Sequence, residues 1–173
     1  MIQITLDDSE KKIAMALARA RYANSRKNKL KKTELPKASV LDPDIEGVMS
    51  ELALCKYLGV YPDQVFEIGI RSVASGTDRG DIVFDGVCID VKSTKHANGR
   101  LFSMKENEAV DVFVLLIGRR GEYKVAGCMS AHDLYRKERW GHHGVFKKPC
   151  FAAEQHELFP FEELFPRLHQ KTG

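Results

Sequence analysis

The segment that decides the fold reads Gly80-Asp81-Ile82-Val83-Phe84-Asp85-Gly86-Val87-Cys88-Ile89-Asp90-Val91-Lys92. Two short apolar runs are joined by Asp85-Gly86, which is the strongest local signal for a β-hairpin, because a type I′ turn needs positive φ at both central residues. Counting outward from that turn, the predicted register pairs Ile82 with Ile89. The same register places Asp81 opposite Asp90.

The predicted hairpin has one charged face and one apolar face. Side chains alternate along a strand, so Asp81, Asp90 and Lys92 share a face. Opposed carboxylates repel each other, and a divalent cation such as Mg²⁺, which prefers oxygen ligands, would offset that repulsion. The alternative is a solvated, charged hairpin end in which Lys92 neutralises Asp90. The other face suits a core and carries Ile82, Phe84, Val87, Ile89 and Val91.

Length and composition predict a globular protein of one domain, or of one domain with an arm. The chain has 173 residues, of which 43% are hydrophobic and 29% charged. No apolar run approaches the ~20 residues of a membrane span. The N-terminus lacks the pattern of a signal peptide, so we expect a cytoplasmic protein without membrane contact. The cysteines include no CxxC pair, which favours reduced thiols: Cys55, Cys88, Cys128 and Cys150.

The positive charge is concentrated near the N-terminus. Residues 11–37 contain ten Lys or Arg and one acidic residue, Glu34, so they carry +9 and leave −6 for the rest of a chain of net charge +3. A capping-box pattern at Asp7 and Glu10 predicts a helix that fades near Asn24 and runs into a basic loop. Such a block indicates contact with nucleic acid, although a solvated helix face followed by a flexible loop would have the same composition.

A second helix is predicted from Asp42 to Leu58. Asp42 would be its N-cap, Pro43 its first residue and Gly59 the residue after its end. Glu51 falls within the apolar arc of this helix, where an unpaired charge would be costly to bury. Glu51 therefore needs a cation or a strong hydrogen-bond partner, unless it reaches solvent at the edge of the arc.

The remaining pattern predicts an alternation of strands and helices. The apolar run at 112–117 is typical of a buried central strand. Further strands are expected at 65–70 and 123–127, and helices at 103–109, 130–138 and 159–165.

This order of elements resembles the PD-(D/E)XK nuclease superfamily, which includes restriction enzymes, phage nucleases and Holliday-junction resolvases. The resemblance spans residues 42–138 and rests on Glu51, on Gly80-Asp81 and on the run from Ile89 to Thr94. It departs from the superfamily pattern in having Gly80 rather than proline before the aspartate. Asp78 is a second acidic residue nearby, but Asp81 is preferred because it begins the strand and opposes Asp90.

The resemblance implies an α/β protein with a restriction-endonuclease-like core, a central mixed β-sheet flanked by helices. This nuclease-like domain would occupy residues 41–173, and residues 1–40 would form a basic helical N-terminal arm. The implied activity is metal-dependent hydrolysis of phosphodiester bonds by a DNA endonuclease, and a homodimer would suit cleavage of both strands. The alternative is a non-catalytic DNA-binding or protein-interaction module that retains a nuclease-like fold.

The resemblance also implies roles for individual residues. The catalytic set would be Glu51, Asp81, Asp90 and Lys92. Mg²⁺, which Mn²⁺ could replace, would be bound by Glu51, Asp81, Asp90 and the carbonyl of Val91, and would polarise the phosphate and activate a water. Lys92 would orient or deprotonate that water, a role that a lowered pKa beside the metal would suit. Contacts to DNA are expected from Arg26, Lys27, Lys29, Lys31, Lys32, Thr94 and Lys95.

A zinc site is the other metal hypothesis. The spacing of its candidate ligands fits no standard zinc finger, and the two adjacent histidines are typical of a surface loop. The candidates are Cys128, His132, His142, His143 and Cys150.

Overall fold

The computed structural model describes residues 2–27, 38–60, 62, 80–144 and 146–163. Within them the protein is an α/β fold built on a mixed, curled five-stranded sheet. The strand predicted at 65–70, the alternative acidic residue Asp78 and the basic residues 28–37 lie outside the described residues.

The five-stranded sheet has the order β1-β6-β5-β3-β2. Its strands are β1 (Gln3–Thr5), β2 (Ile82–Phe84), β3 (Val87–Thr94), β5 (Val112–Arg119) and β6 (Glu122–Ser130). The predicted central strand is confirmed as β5, which is buried from Val112 to Leu116. It runs parallel to β3 and antiparallel to β6, which makes the sheet mixed.

The hairpin of β2 and β3 forms as its sequence predicts. Ile82 pairs with Ile89 and Phe84 with Val87. Asp85 and Gly86 have φ of 50° and 77°, as both central residues of a type I′ turn require. The local turn chemistry therefore fixes the register from Phe84 and Val87 out to Ile82 and Ile89. The predicted pairing of Asp81 with Asp90 is not part of this ladder, because β2 begins at Ile82 and the Asp81 N–H donates to the Ile89 carbonyl.

Two long helices cover one face of the sheet. Helix α1 (Asp8–Lys27) begins with the predicted capping box, in which the Asp7 N–H donates to Glu10 Oε2 at 2.6 Å and the Glu10 N–H donates to Asp7 Oδ1 at 2.9 Å. Buried Ala14 and Ala18 let it approach the second helix closely, and both helices share one apolar core with the sheet.

Helix α2 (Ala38–Leu58) begins before the predicted N-cap at Asp42. Pro43 lies inside the helix rather than at its first position, where it removes one intrahelical hydrogen bond. The predicted end is confirmed. Gly59 has φ of 66°, and the Val60 N–H donates to the Cys55 carbonyl at 3.1 Å, which closes a Schellman motif.

The opposite face of the five-stranded sheet meets a small antiparallel sheet of order β4-β8-β7. Its strands are β4 (Leu101–Ser103), β7 (Trp140–Gly141) and β8 (Cys150–Ala153). A second apolar core fills the space between the two sheets and includes Phe113, Leu115, Met129, Leu134 and Phe151. The sheet therefore has a helical face and a face that is shared with the small sheet.

Three helix predictions need correction. The helix predicted at 103–109 is absent, because Leu101–Ser103 pairs with β8 and the chain then turns. Ser130 does cap a helix, but α3 covers only Ala131–Leu134 and a 3-10 turn follows at Lys137–Arg139. The terminal helix is reduced to a 3-10 turn, Phe161–Glu163, in the part of the tail that the structure describes.

The N-terminal residues 2–27 are part of the common core. Strand β1, which the sequence did not predict, pairs with β6 at the sheet edge, with Ile4 opposite Tyr123. The proposed boundary between arm and domain at residue 40 follows the undescribed residues 28–37 and stays a prediction. No helix among the described residues has the length and apolar character needed to cross a membrane.

Candidate active site

Asp90 and Lys92 lie together on the face of β3 that is turned away from the helices. Their neighbours Ile89 and Val91 point to the helical core, so strand alternation places Asp90 and Lys92 on the opposite side. The Lys92 ammonium forms an ion pair with Asp90 Oδ1. It also sits 5.7 Å from the centroid of the Phe113 ring, a cation–π distance.

The charge of Lys92 is set by two opposing effects. Burial lowers the pKa of the ammonium, but the carboxylates of Asp90 and Asp81 raise it more, so its pKa lies above the ordinary value. Lys92 is therefore a cation at neutral pH. The lowered pKa that the sequence predicted for Lys92 as a base assumes a bound metal ion. The charge of that ion would compete with Lys92 for the same carboxylates.

Asp81 is held at the strand edge by its side chain and its backbone. Its N–H donates to the Ile89 carbonyl and its Oδ2 accepts from the Val91 N–H, both at 2.8 Å. Gly80 permits this arrangement, since it has φ of 78° and a Cβ there would lie 2.8 Å from the Ile89 carbonyl oxygen. The departure from a proline at this position thus has a steric reason.

Glu51 is buried on the helical face and is engaged there by Arg21. Nη1 of Arg21 donates to both carboxylate oxygens of Glu51, at 3.0 and 3.2 Å. The sequence predicted that Glu51 needs a cation, and a cation from α1 meets that need. Its role as a metal ligand stays a prediction, because this ion pair does not involve Asp81 or Asp90.

The implied DNA contacts fall in two places. Thr94 and the exposed Lys95 follow Lys92 at the end of β3. Arg26 and Lys27 end helix α1, and the other three implied contacts lie outside the described residues: Lys29, Lys31 and Lys32. Their interaction with DNA stays a prediction.

A cavity of about 700 Å³ opens beside Asp90 and Lys92. Its walls come from β3, β4 and β5 and from the loops at 96–100 and 104–107, with Phe146 at the rim. Among the described lining residues, basic side chains outnumber acidic ones: Lys92, Arg100 and Lys105 accompany a single carboxylate, Asp90. The cavity is therefore suited to an anionic ligand.

Sequence reasoning missed the outer wall of this cavity. Arg100 lies over the ring of Phe102 at 5.3 Å, and Phe102 and Phe146 meet edge to face with centroids 5.3 Å apart. The available signal was the alternation of basic and aromatic residues in Arg100-Leu101-Phe102 and Phe146-Lys147-Lys148. Only the fold reveals that these two segments meet.

Tyr135 supports the base of the site. Its hydroxyl oxygen accepts the Asn107 N–H at 2.9 Å, and its ring meets Phe113 edge to face at 5.7 Å. Burial raises the pKa of this hydroxyl, with a further contribution from Asp90. Tyr135 therefore remains neutral, and its ring packs against that of Phe113, which lies beside the Lys92 ammonium.

The donor atoms fit one type of metal site. The described residues contain no group of three or more His, Cys, Asp or Glu that could hold a metal ion by itself. Mg²⁺ is typically held by one or two carboxylates together with substrate phosphates. Asp81 and Asp90 fit a metal ion shared with a phosphate, and they do not make a complete protein cage.

The candidate zinc ligands have separate environments. Cys128 is buried, and its thiol donates to the Phe159 carbonyl at 3.4 Å. His132 is exposed, while a ring nitrogen of His143 lies 3.1 Å from the Arg139 carbonyl oxygen. No three of these candidates, all of which lie within the described residues, form a group that could hold a metal ion.

No protein family, curated protein or solved structure matches this chain in comparisons with known proteins.

Proposed function

We propose that this protein is a metal-dependent nuclease that hydrolyses phosphodiester bonds in DNA. The observation that carries the proposal is the placement of Asp90 and Lys92 on one strand face, open to a cavity with an excess of basic side chains. Asp81 supports the proposal as a second carboxylate near this pair, since its Oδ2 accepts the Val91 N–H and its charge raises the pKa of Lys92.

In this proposal, each group has a role suited to its surroundings. Asp81 and Asp90 would hold a Mg²⁺ ion, which when bound supplies a Lewis acid for the phosphate and an activated water. The Lys92 cation would bind an anionic phosphate oxygen and stabilise the charge that develops on it. Arg100 and Lys105 would attract the neighbouring phosphates into the cavity.

A second candidate function is DNA binding without cleavage. The Arg21–Glu51 ion pair favours it. The nuclease resemblance implies that Glu51 is one of four catalytic residues, yet its carboxylate is bound by Arg21. The basic cavity would serve either function, so cleavage itself must be measured.

The deciding experiment is incubation with supercoiled, linear, four-way-junction and single-stranded DNA in Mg²⁺, Mn²⁺ or EDTA. We expect cleavage with either metal and none in EDTA, and loss of cleavage in Asp81→Asn. The matched control is Asp111→Asn, since Asp111 Oδ2 also accepts a backbone N–H of β3, that of Cys88, at 2.8 Å. Failure to cut any of these DNAs with either metal would reject the nuclease and leave the binding module.

A further inference from the structure

The outer wall of the cavity is aromatic, which phosphate chemistry alone does not require. Phe102 and Phe146 line the cavity together with Asp90 and Lys92. Phe146 keeps 40% of its surface exposed, although a large apolar side chain normally gains by burial. An exposed ring at the rim of a basic cavity is a surface on which a planar ligand can stack.

Two features of the cavity select a nucleobase as that ligand. A volume of about 700 Å³ is in the usual range for sites that enclose a small organic group. The aromatic wall and the cationic Lys92 line the same cavity, so a ligand with a planar apolar part and an anionic part would complement both. A nucleotide within a DNA strand has this combination, and aromatic stacking beside a basic groove is how single strands are commonly bound.

We infer that the cavity binds an unpaired base of the DNA strand, stacked on Phe146 beside Phe102, so that the substrate is single-stranded or locally unpaired DNA. This inference rests on the proposed nuclease function, which it narrows to one substrate class. In a duplex both faces of a base are covered by its neighbours, so a base must leave the stack before it meets an aromatic side chain. The Lys92 side of the cavity would then receive the adjoining phosphate.

Binding measured without metal separates base stacking from cleavage. Fluorescence anisotropy in EDTA would compare a short oligo-dT with an oligonucleotide of the same length that has abasic sugars but intact phosphates. We expect Phe146→Ala to weaken oligo-dT binding about 5- to 150-fold, the range for loss of one base–aromatic stack. Binding of the abasic strand should be weaker in the wild type and unchanged by the substitution.

The matched control is Tyr57→Ala at the end of α2. Tyr57 is 41% exposed and its ring meets Phe161 edge to face, so it offers an aromatic ring of similar exposure away from the cavity. Its replacement should leave both affinities unchanged. If Phe146→Ala lowers the melting temperature, Phe146→Leu keeps apolar volume against Phe102 and still removes the aromatic face, and it should show the same selective loss for oligo-dT.

The results distinguish this inference from the proposed function. Equal losses on intact and abasic strands, or unchanged oligo-dT binding, would overturn base stacking even if the protein cuts DNA. A selective loss on oligo-dT in a protein that cuts no DNA would retain the base site and reject the nuclease. A selective loss together with faster cleavage of single-stranded than of duplex DNA would support both.

Discussion

Both faces of the five-stranded sheet carry pairs of acidic and basic side chains, but these pairs have different surroundings. On the helical face, Glu51 is bound by Arg21 and Glu46 accepts hydrogen bonds from Arg120 and Tyr123. On the other face, the Asp90–Lys92 pair opens onto a cavity of about 700 Å³. An acid–base pair between packed helices is needed by the fold because losing either partner leaves a charge uncompensated, whereas a pair beside a cavity is available to a ligand.

The comparison shows that residue type and sequence order do not by themselves separate structural from functional charges. Glu51, Asp81 and Asp90 all fit the nuclease pattern in sequence. In the structure the first is partnered from α1, and the other two are tied to β3. Substitutions that remove one charge on each face therefore test most directly which charged residues serve the fold and which serve a ligand.

The largest effect is expected from Lys92 on the cavity face. Lys92→Ala should lower cleavage at saturating DNA about 100-fold or more, because it removes a cation placed for charge that develops on the phosphate. DNA affinity in EDTA should fall much less than the cleavage rate, because Lys92 is one of several basic side chains that line the cavity. The measurements are initial cleavage rates with Mg²⁺ and affinities in EDTA.

The control for Lys92 is an exposed ion pair on the helical side. Lys56 donates to Glu10 Oε2 at 2.8 Å, and exposed pairs of this kind contribute about 0 to 1 kcal/mol. Lys56→Ala should keep full cleavage. Cleavage by Lys92→Ala at the wild-type rate would mean that Lys92 is only the counter-ion of Asp90, as in a solvated hairpin end.

The second prediction compares two glycines of the hairpin with the same backbone conformation. Gly80 and Gly86 have φ of 78° and 77°, but a Cβ at Gly80 would lie 2.8 Å from the Ile89 carbonyl oxygen, whereas none of the atoms described lies within 4 Å at Gly86. Gly86→Ala should lower the free energy of unfolding by about 1 to 2 kcal/mol, the cost of left-handed backbone. Gly80→Ala should cost about 3 to 4 kcal/mol, because strain and overpacking add.

Urea denaturation of the two variants measures this difference. Gly80→Ala should also reduce cleavage per folded molecule, since the position of Asp81 depends on the backbone contact that the new Cβ would disturb. Equal stability losses in the two variants would show that backbone conformation alone accounts for both glycines.

The sequence predicted the parts of the fold that depend on near neighbours in the chain. The Asp85-Gly86 turn, the Asp7–Glu10 box and the Gly59 cap are each complete within a few residues, and all three formed as predicted. Strand β1 was missed because its partner β6 lies far along the chain and its own three residues carry no distinct period.

The candidate site shows the same division between local and distant information. Strand alternation was sufficient to place Asp90 beside Lys92. The Arg21 partner of Glu51 lies 30 residues away, and the aromatic wall joins Phe102 to Phe146 from two separate segments of the chain. Contacts of this kind follow from packing and have no local period to reveal them.

The third prediction tests the ion pair of the helical face. Glu51→Ala and Arg21→Ala should each cost about 2 kcal/mol, below the 3 to 5 kcal/mol of a fully buried pair, because the Arg21 side chain remains 23% exposed. The double variant should lose less than the sum of the two, since each single change leaves a buried partner without its counter-charge.

Cleavage by the same variants decides the role of Glu51. If Glu51 serves the fold, both single variants should cut DNA at the wild-type rate per folded molecule. Loss of cleavage in Glu51→Ala but not in Arg21→Ala would support Glu51 as the predicted metal ligand. It would contradict a purely structural role for the charged residues of the helical face.

The smallest effect is expected from a hydrogen bond between two side chains on the helical face. Tyr123 is 1% exposed and its hydroxyl donates to Glu46 Oε2 at 2.8 Å. Tyr123→Phe should cost about 1 kcal/mol at pH 7, because Glu46 keeps its bonds from the Arg120 N–H. Tyr57→Phe, which removes an exposed hydroxyl, should change stability by less than about 0.5 kcal/mol.

The Tyr123 difference should also depend on pH. Burial, aided by the hydrogen bond to Glu46, raises the pKa of this hydroxyl far above its ordinary value of 10.0. In the unfolded chain the hydroxyl ionises near that ordinary value, so the advantage of wild type over Tyr123→Phe is complete below pH 10 and shrinks as the pH rises further. Denaturation of both proteins between pH 7 and 11 measures the gap. A constant difference in unfolding free energy over that range would show that the folded protein accommodates the Tyr123 anion beside Glu46. That result would contradict the burial of this hydroxyl as the cause of its raised pKa.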